Sequence, residues 1–271
     1  MDSTAPIGLI AGSGRFPALF AQAAARAGRS VAAVAHEGET DVELGPSVAS
    51  LRWVKLGQLG AIVSALREAG CTEAVFCGGI RKPRLFDVRP DLLGLRVLSR
   101  LRSFGDDAAL RAIATALEEE GVRIVSPLPF VQELLAPRGA LGRRALSAEQ
   151  RSDAEVGFAA ARALGALDIG QTVVVKRGVV LAVEAVEGTD ACIARGGALA
   201  RGSGHGPVVA KVFKPQQDDR FDVPAVGPRT VEALVQAGCS ALAVEAGRTL
   251  LFDRAEMAVI ADRGGIAIEG I

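Results

Sequence analysis

A five-residue apolar run, Ile7–Ala11, ends in Gly12-Ser13-Gly14, and Phe16, Leu19, Phe20, Ala23 and Ala24 then recur at helical spacing. A strand that passes through a tight turn into a helix calls for a crossover connection, and crossovers of this kind join parallel strands with a right-handed sense. The same alternation continues. Residues 30–35 and 50–55 read as strands, 57–69 as an amphipathic helix closed by Gly70, and 74–77 as another buried strand. A parallel sheet with helices on its faces is expected, and active sites in such sheets lie at the carboxyl ends of the strands.

Residues 81–105 loosen into a basic, proline-containing segment with a short helix near 92–101. A strongly helical stretch at 106–120 and a strand at 122–125 follow. Residues 134–150, with Pro137, Gly139, Gly142 and Arg143-Arg144, sustain no period and read as a linker. Beyond it, 153–164 is helical, 172–175 and 179–184 form a hairpin around Lys176-Arg177-Gly178, and Thr189 opens a short helix. Strand, helix and strand then recur at 208–213, 228–237, 241–244, 253–262 and 266–268. At 271 residues the chain exceeds the roughly 100 to 200 of one domain. The expectation is a two-domain α/β protein: a Rossmann-like N-terminal domain over 1–133, a linker at 134–150 and a smaller C-terminal α/β domain over 151–271.

With 49% apolar residues the chain can bury a sizeable core. Lys plus Arg equal Asp plus Glu at 31 each, which excludes the broad basic footprint of a nucleic-acid binder, so any anion site must be local. Apolar runs such as 173–175 and 179–183 fall far short of the roughly 18 to 20 residues that span a bilayer. Residues 1–6 carry an acid rather than a basic leader, so no export signal is expected and the cytoplasm is the expected location. Cys71, Cys77, Cys192 and Cys239 lack metal-site spacing and read as buried thiols. The two histidines, His36 and His205, are too few for an imidazole zinc site, so a catalytic metal would be held mainly by oxygen.

Several loops gather chemistry. The backbone amides of Gly12-Ser13-Gly14, set between strand and helix, suit an anion, although the same residues also make an ordinary tight turn. Pro17 stands where a dinucleotide fingerprint places its third glycine, which disfavours a nicotinamide-dependent oxidoreductase as the alternative enzyme. Gly78-Gly79-Ile80-Arg81-Lys82 repeats the arrangement with two added cations, again either a phosphate cradle or a sharp turn with solvated charges. Asp106-Asp107 could ligate a metal, touch sugar hydroxyls or cap the following helix. Thr189-Asp190 could cap a helix or face a ligand. The loop at 211–224 collects Lys211, Lys214 and Arg220 with Asp218, Asp219 and Asp222, and Asp222 lies too far upstream of the helix near Pro228 to cap it.

Five segments taken together carry a resemblance: Gly8 to Pro17, Gly105-Asp106-Asp107 to Arg111, Leu167-Asp168-Ile169-Gly170-Gln171, Glu184 to Asp190, and Asp222-Val223-Pro224-Ala225-Val226-Gly227. In this order and at these separations they resemble the LpxI-type UDP-2,3-diacylglucosamine diphosphatases of lipid A synthesis, over nearly the whole chain. The resemblance implies magnesium-dependent hydrolysis of UDP-2,3-diacylglucosamine to UMP and 2,3-diacylglucosamine 1-phosphate. It further implies attack of water on the β-phosphorus, in a cleft between two domains, with transient contact to the inner-membrane surface. The family's catalytic acid falls on Asp222, as a metal ligand or as the group that orients water. Ligand contacts are expected at Gly12, Ser13, Gly14, Gly79, Lys82, Asp106, Asp107, Gln171, Thr189, Asp190, Lys211 and Lys214. A protein that binds a UDP-sugar or lipid without turning it over is the remaining alternative.

Overall fold

The computed structural model describes residues 5–80, 88–101, 106–200 and 202–271, apart from the side chains at 42, 106 and 107. The chain forms two units. The first comprises Met1–Gln132 with Asp218–Asp222, and the second Glu133–Gln217 with Val223–Ile271.

In the first unit the elements run β1 (Ile7–Ala11), α1 (Phe16–Arg26), β2 (Val31–His36), β3 (Ser50–Val54), α2 (Leu59–Glu68), β4 (Glu73–Cys77), α3 (Leu92–Arg100), α4 (Asp106–Glu119) and β5 (Arg123–Ile124). Among the described residues the sheet is wholly parallel, in the order β3-β2-β1-β4-β5. Every residue of β1 and β2 is buried, as expected of strands covered on both faces, and aliphatic residues and one glycine fill them up to His36, the last residue of β2. Ile62, Val63 and Leu66 of α2 and Leu117 of α4 pack with Ile10, Val34 and Ile124 into one core. The chain leaves β1 toward β2 and β3, then crosses back to β4 on the other side of β1. The carboxyl ends of β1 and β4 are therefore neighbours at the point where the strand order reverses, the place where open α/β sheets bind ligands.

The second unit runs β6 (Gly139–Ala140), α5 (Ala148–Ala166), β7 (Thr172–Lys176), β8 (Val179–Val183), α6 (Thr189–Leu199), β9 (Val208–Lys211), β10 (Ala225–Val226), α7 (Pro228–Gln236), β11 (Ala241–Val244), β12 (Leu250–Leu251), α8 (Arg254–Gly264) and β13 (Ala267–Gly270). Its main sheet has the order β6-β13-β11-β9-β7-β8, with β9, β11 and β13 parallel and the edges antiparallel. The β7–β8 hairpin turns through Arg177 and Gly178, both at positive φ. Their amides donate at 2.9 and 2.6 Å to the buried carboxylate of Asp153 on α5, which ties helix to hairpin.

Residues 134–150, which lack a sequence period, are nonetheless structured. Strand β6 pairs with β13, and Ser147 and Gln150 form a reciprocal capping box that starts α5 five residues before the periodic pattern becomes visible. All four cysteines are buried free thiols. Burial pushes Cys71 up to about 11 and Cys192 and Cys239 up to about 12, and it raises Cys77 well above the usual thiol range. Among the described residues no helix is long and apolar enough to cross a membrane.

Candidate functional site

In the first unit the two glycine loops meet. The Gly12 amide donates to Cys77 O at 2.8 Å, and Ser13 donates to Gly79 O through both its amide (2.7 Å) and its Oγ (2.8 Å). A Cβ on Gly12 would lie 2.5 Å from Gly79 O, so only glycine permits this approach. The amides of Gly12 and Ser13, expected to face an anion, are thus spent on joining β1 to β4. Gly14 and Arg15, exposed ahead of α1, present the outer rim of the loop.

Behind this junction, Ala11 O is held by Thr40 Oγ1 at 2.6 Å and His36 Nδ1 at 2.9 Å, both buried. Burial lowers the imidazole pKa from its ordinary 6.5, while the Ala11 carbonyl and Glu39 act in the opposite sense. Below pH 6.5 the unfolded chain therefore takes up a proton that the folded one resists. Stability present above that pH is expected to decline as pH falls below about 6.5, until the folded imidazole protonates as well. Urea midpoints measured across this range should show the decline, and His36→Gln should flatten it. An unchanged slope in the variant would remove His36 from the account.

The turn at 218–222 is built into the same unit. Phe221 joins its core, edge-on to Phe76 with ring centroids 6.1 Å apart, one residue before β4 ends. Asp218 is gripped by Arg220 (Nη2 to Oδ2, 2.8 Å) and Arg111 (Nη1 to Oδ2, 3.2 Å). The hydrogen bonds from Arg220 hold the Asp218 carboxyl below the usual range against partial burial. Asp219 Oδ2 accepts from Ser126 Oγ at 2.9 Å, two residues beyond β5, and Arg220 lies 4.8 Å above the Phe221 ring. Two of the three carboxylates in this loop therefore fix the turn. The third, Asp222, is exposed at its end, and the turn that carries it is held at the carboxyl ends of β4 and β5.

In the second unit Thr189, at the start of α6, is the centre of a separate cluster. Its Oγ1 donates to Glu184 Oε1 at 2.7 Å, accepts from Lys211 Nζ at 2.9 Å and lies 3.5 Å from Thr172 Oγ1. The Gln171 amide reaches Glu184 Oε2 at 3.3 Å, while Gln171 Oε1 is buried with no hydrogen-bond partner among the described residues. Burial alone would push the Glu184 carboxyl up. The Lys211 ammonium, the Thr172 and Thr189 hydroxyls and the Gln171 amide outweigh it and hold the group below the ordinary carboxylate value.

Gln171, Thr189 and Lys211 are thus brought together around Glu184. Asp190 is not among them, since its half-exposed carboxylate lies 3.9 Å from Arg229. Lys214 pairs with Asp168 at 2.8 Å. Asp106 and Asp107 open α4, but their side chains, like the whole of Lys82, lie outside the described residues. Among the described residues no three His, Cys, Asp or Glu side chains converge as a ready metal cage. His36, Thr40 and Ser126 carry no local signature, because Ala11 and Asp219 lie far from them in sequence, while Arg111 and Glu184 fall within segments of the resemblance without a role of their own there.

A model of the LpxI N-terminal domain matches residues 6–134, and one of the LpxI C-terminal domain matches 137–269. A protein of Caulobacter vibrioides, UDP-2,3-diacylglucosamine pyrophosphatase LpxI, is 37% identical over 273 residues, covering 98% of this chain and 97% of that one. With both domains matched in order and the likeness running nearly end to end, the chain belongs to the LpxI family.

Proposed function

We propose that this chain hydrolyses UDP-2,3-diacylglucosamine to 2,3-diacylglucosamine 1-phosphate and UMP, in the synthesis of lipid A. One observation carries the reading: in a chain 37% identical to an enzyme named for that substrate, the turn bearing Asp222 and the two glycine loops are gathered at the carboxyl ends of β1, β4 and β5. In this reaction the oxygen of a water molecule bonds to the β-phosphorus, the bond from that phosphorus to the bridging oxygen breaks, and UMP leaves with the electron pair. Asp222 orients the water and draws its proton as the new bond forms. Arg220, Arg111 and Ser126 hold Asp218 and Asp219, and through them the Asp222 backbone, so the acid is placed before substrate arrives.

Magnesium fits this donor set. It binds through one or two carboxylates together with substrate phosphate oxygens and water, so a three-residue cage is not required. Asp222 would supply the carboxylate, and the ion would offset the diphosphate charge that repels an incoming nucleophile. A nicotinamide reaction is disfavoured, because the Gly12 and Ser13 amides that would meet a dinucleotide pyrophosphate are engaged with Cys77 O and Gly79 O.

Purified protein with magnesium and detergent-dispersed UDP-2,3-diacylglucosamine is expected to release UMP and the lipid 1-phosphate in equal amounts, and a chelator to suppress both. Stoichiometric substrate binding without UMP would replace the hydrolase by a sequestering protein.

A further inference from the structure

Helix α3 is anchored on one side only. Asp91 caps it, accepting from Gly94 N at 2.9 Å, and with its other oxygen takes the amides of Gly60 and Ala61 at the start of α2. Gly94 and Val97 are buried, and Gly94 is so close to the Gly57 carbonyl that a Cβ would collide with it. The opposite side carries Leu92, Leu95 and Leu98 at 85%, 53% and 39% exposure. Single exposed leucines are common, but three on one stripe of a nine-residue helix leave a continuous apolar ridge in water.

Charge says what covers the ridge. Arg89, Arg96 and Arg100 are exposed beside the leucines. Of the described acids nearby, Asp91 is turned inward onto backbone amides, and the 3.9 Å contact of Glu119 with Arg100 joins two exposed side chains and restrains little. Leucines flanked by arginines on a helix already pinned by its other face match the headgroup–acyl boundary of an anionic bilayer. We infer that α3 is the element by which this protein rests on an anionic lipid surface. This assignment rests on the hydrolase reading above to the extent that such a surface is where a two-chain lipid substrate resides.

Co-sedimentation with vesicles of phosphatidylethanolamine and phosphatidylglycerol tests it, with pure phosphatidylcholine vesicles as the neutral control. Wild-type protein is expected to partition onto the anionic vesicles and to be released by high salt. A Leu95→Ser/Leu98→Ser variant should lose about tenfold in partitioning, because two apolar side chains no longer enter the boundary. An Arg96→Gln/Arg100→Gln variant should lose about tenfold or more on the anionic vesicles only. Both variants should release UMP from detergent-dispersed substrate at the wild-type rate. Wild-type partitioning by both variants overturns the inference, as does a solution dimer that the leucine variant splits, since the ridge would then belong to a second copy. UMP release by wild-type protein that ignores anionic vesicles sinks the docking face and leaves the hydrolase standing. Vesicle binding that the variants abolish, with no UMP release by any form, does the reverse.

Discussion

Asp222→Ala is expected to lower turnover of UDP-2,3-diacylglucosamine by about two to four orders of magnitude, the range over which a positioned acid–base group acts. The protein should remain folded. The turn is secured by Phe221 in the core, by Asp218 between Arg111 and Arg220, and by Ser126 on Asp219. Asp222→Asn separates geometry from charge, since the amide keeps the shape and loses the anion. Equal losses in both variants, with an unchanged thermal midpoint, would place the effect on the carboxylate itself. A fall in kcat with little change in KM would mark an interaction made in the transition state alone. Wild-type turnover in Asp222→Ala would remove this residue from the mechanism and, with it, the main support for the site.

The second large effect concerns stability. Lys211 and Glu184 are 6% and 8% exposed and share the Thr189 hydroxyl between them. Lys211→Met leaves the Glu184 carboxylate buried with only hydroxyl and amide donors, and breaking a buried charge pair from one side costs about 3 to 5 kcal/mol. The loss should appear as a lower urea midpoint. Its pH dependence has a definite sign. In the wild-type protein Glu184 has a folded pKa below its ordinary 4.5, so its contribution is present above that value and is lost as pH falls through the folded pKa. In the variant the carboxyl rises toward or beyond its unfolded value, so less stability is lost on acidification, and the gap from wild type should narrow below about pH 4.5. Adding Glu184→Gln to Lys211→Met should recover part of the deficit, because the uncompensated charge is gone. A midpoint unmoved by Lys211→Met would show that the ammonium contributes nothing there.

The legible and the hidden parts of this molecule divide along a physical line. Strand Ile7–Ala11 with its glycine turn, the helix around residues 59–68 and the hairpin at Arg177-Gly178 all follow from patterns a few residues long, because side-chain periodicity and turn conformation are local properties. The Ser147-x-x-Gln150 capping box was equally present in the chain, yet within an aperiodic stretch it read as linker. Asp222 is marked by the family resemblance, in which it heads Asp222-Val223-Pro224-Ala225-Val226-Gly227, and it lies too far upstream of the helix near Pro228 to cap it.

No local pattern announces that β4 lies beside β1, so that Ser13 donates to Gly79 O the hydrogen bonds its loop could offer a ligand. Nor does one show that Asp218 and Asp219 are consumed in holding a turn, that the segment from 218 to 222 belongs with the N-terminal strands, or that Lys211 answers to Glu184 and Thr189. By itself the sequence determined the order and kind of the longer strands and helices and the residue types placed at the strand ends. Which of those residues remain for chemistry and which become structure was decided only by tertiary folding, because a polar group's availability depends on the partner that long-range packing brings to it.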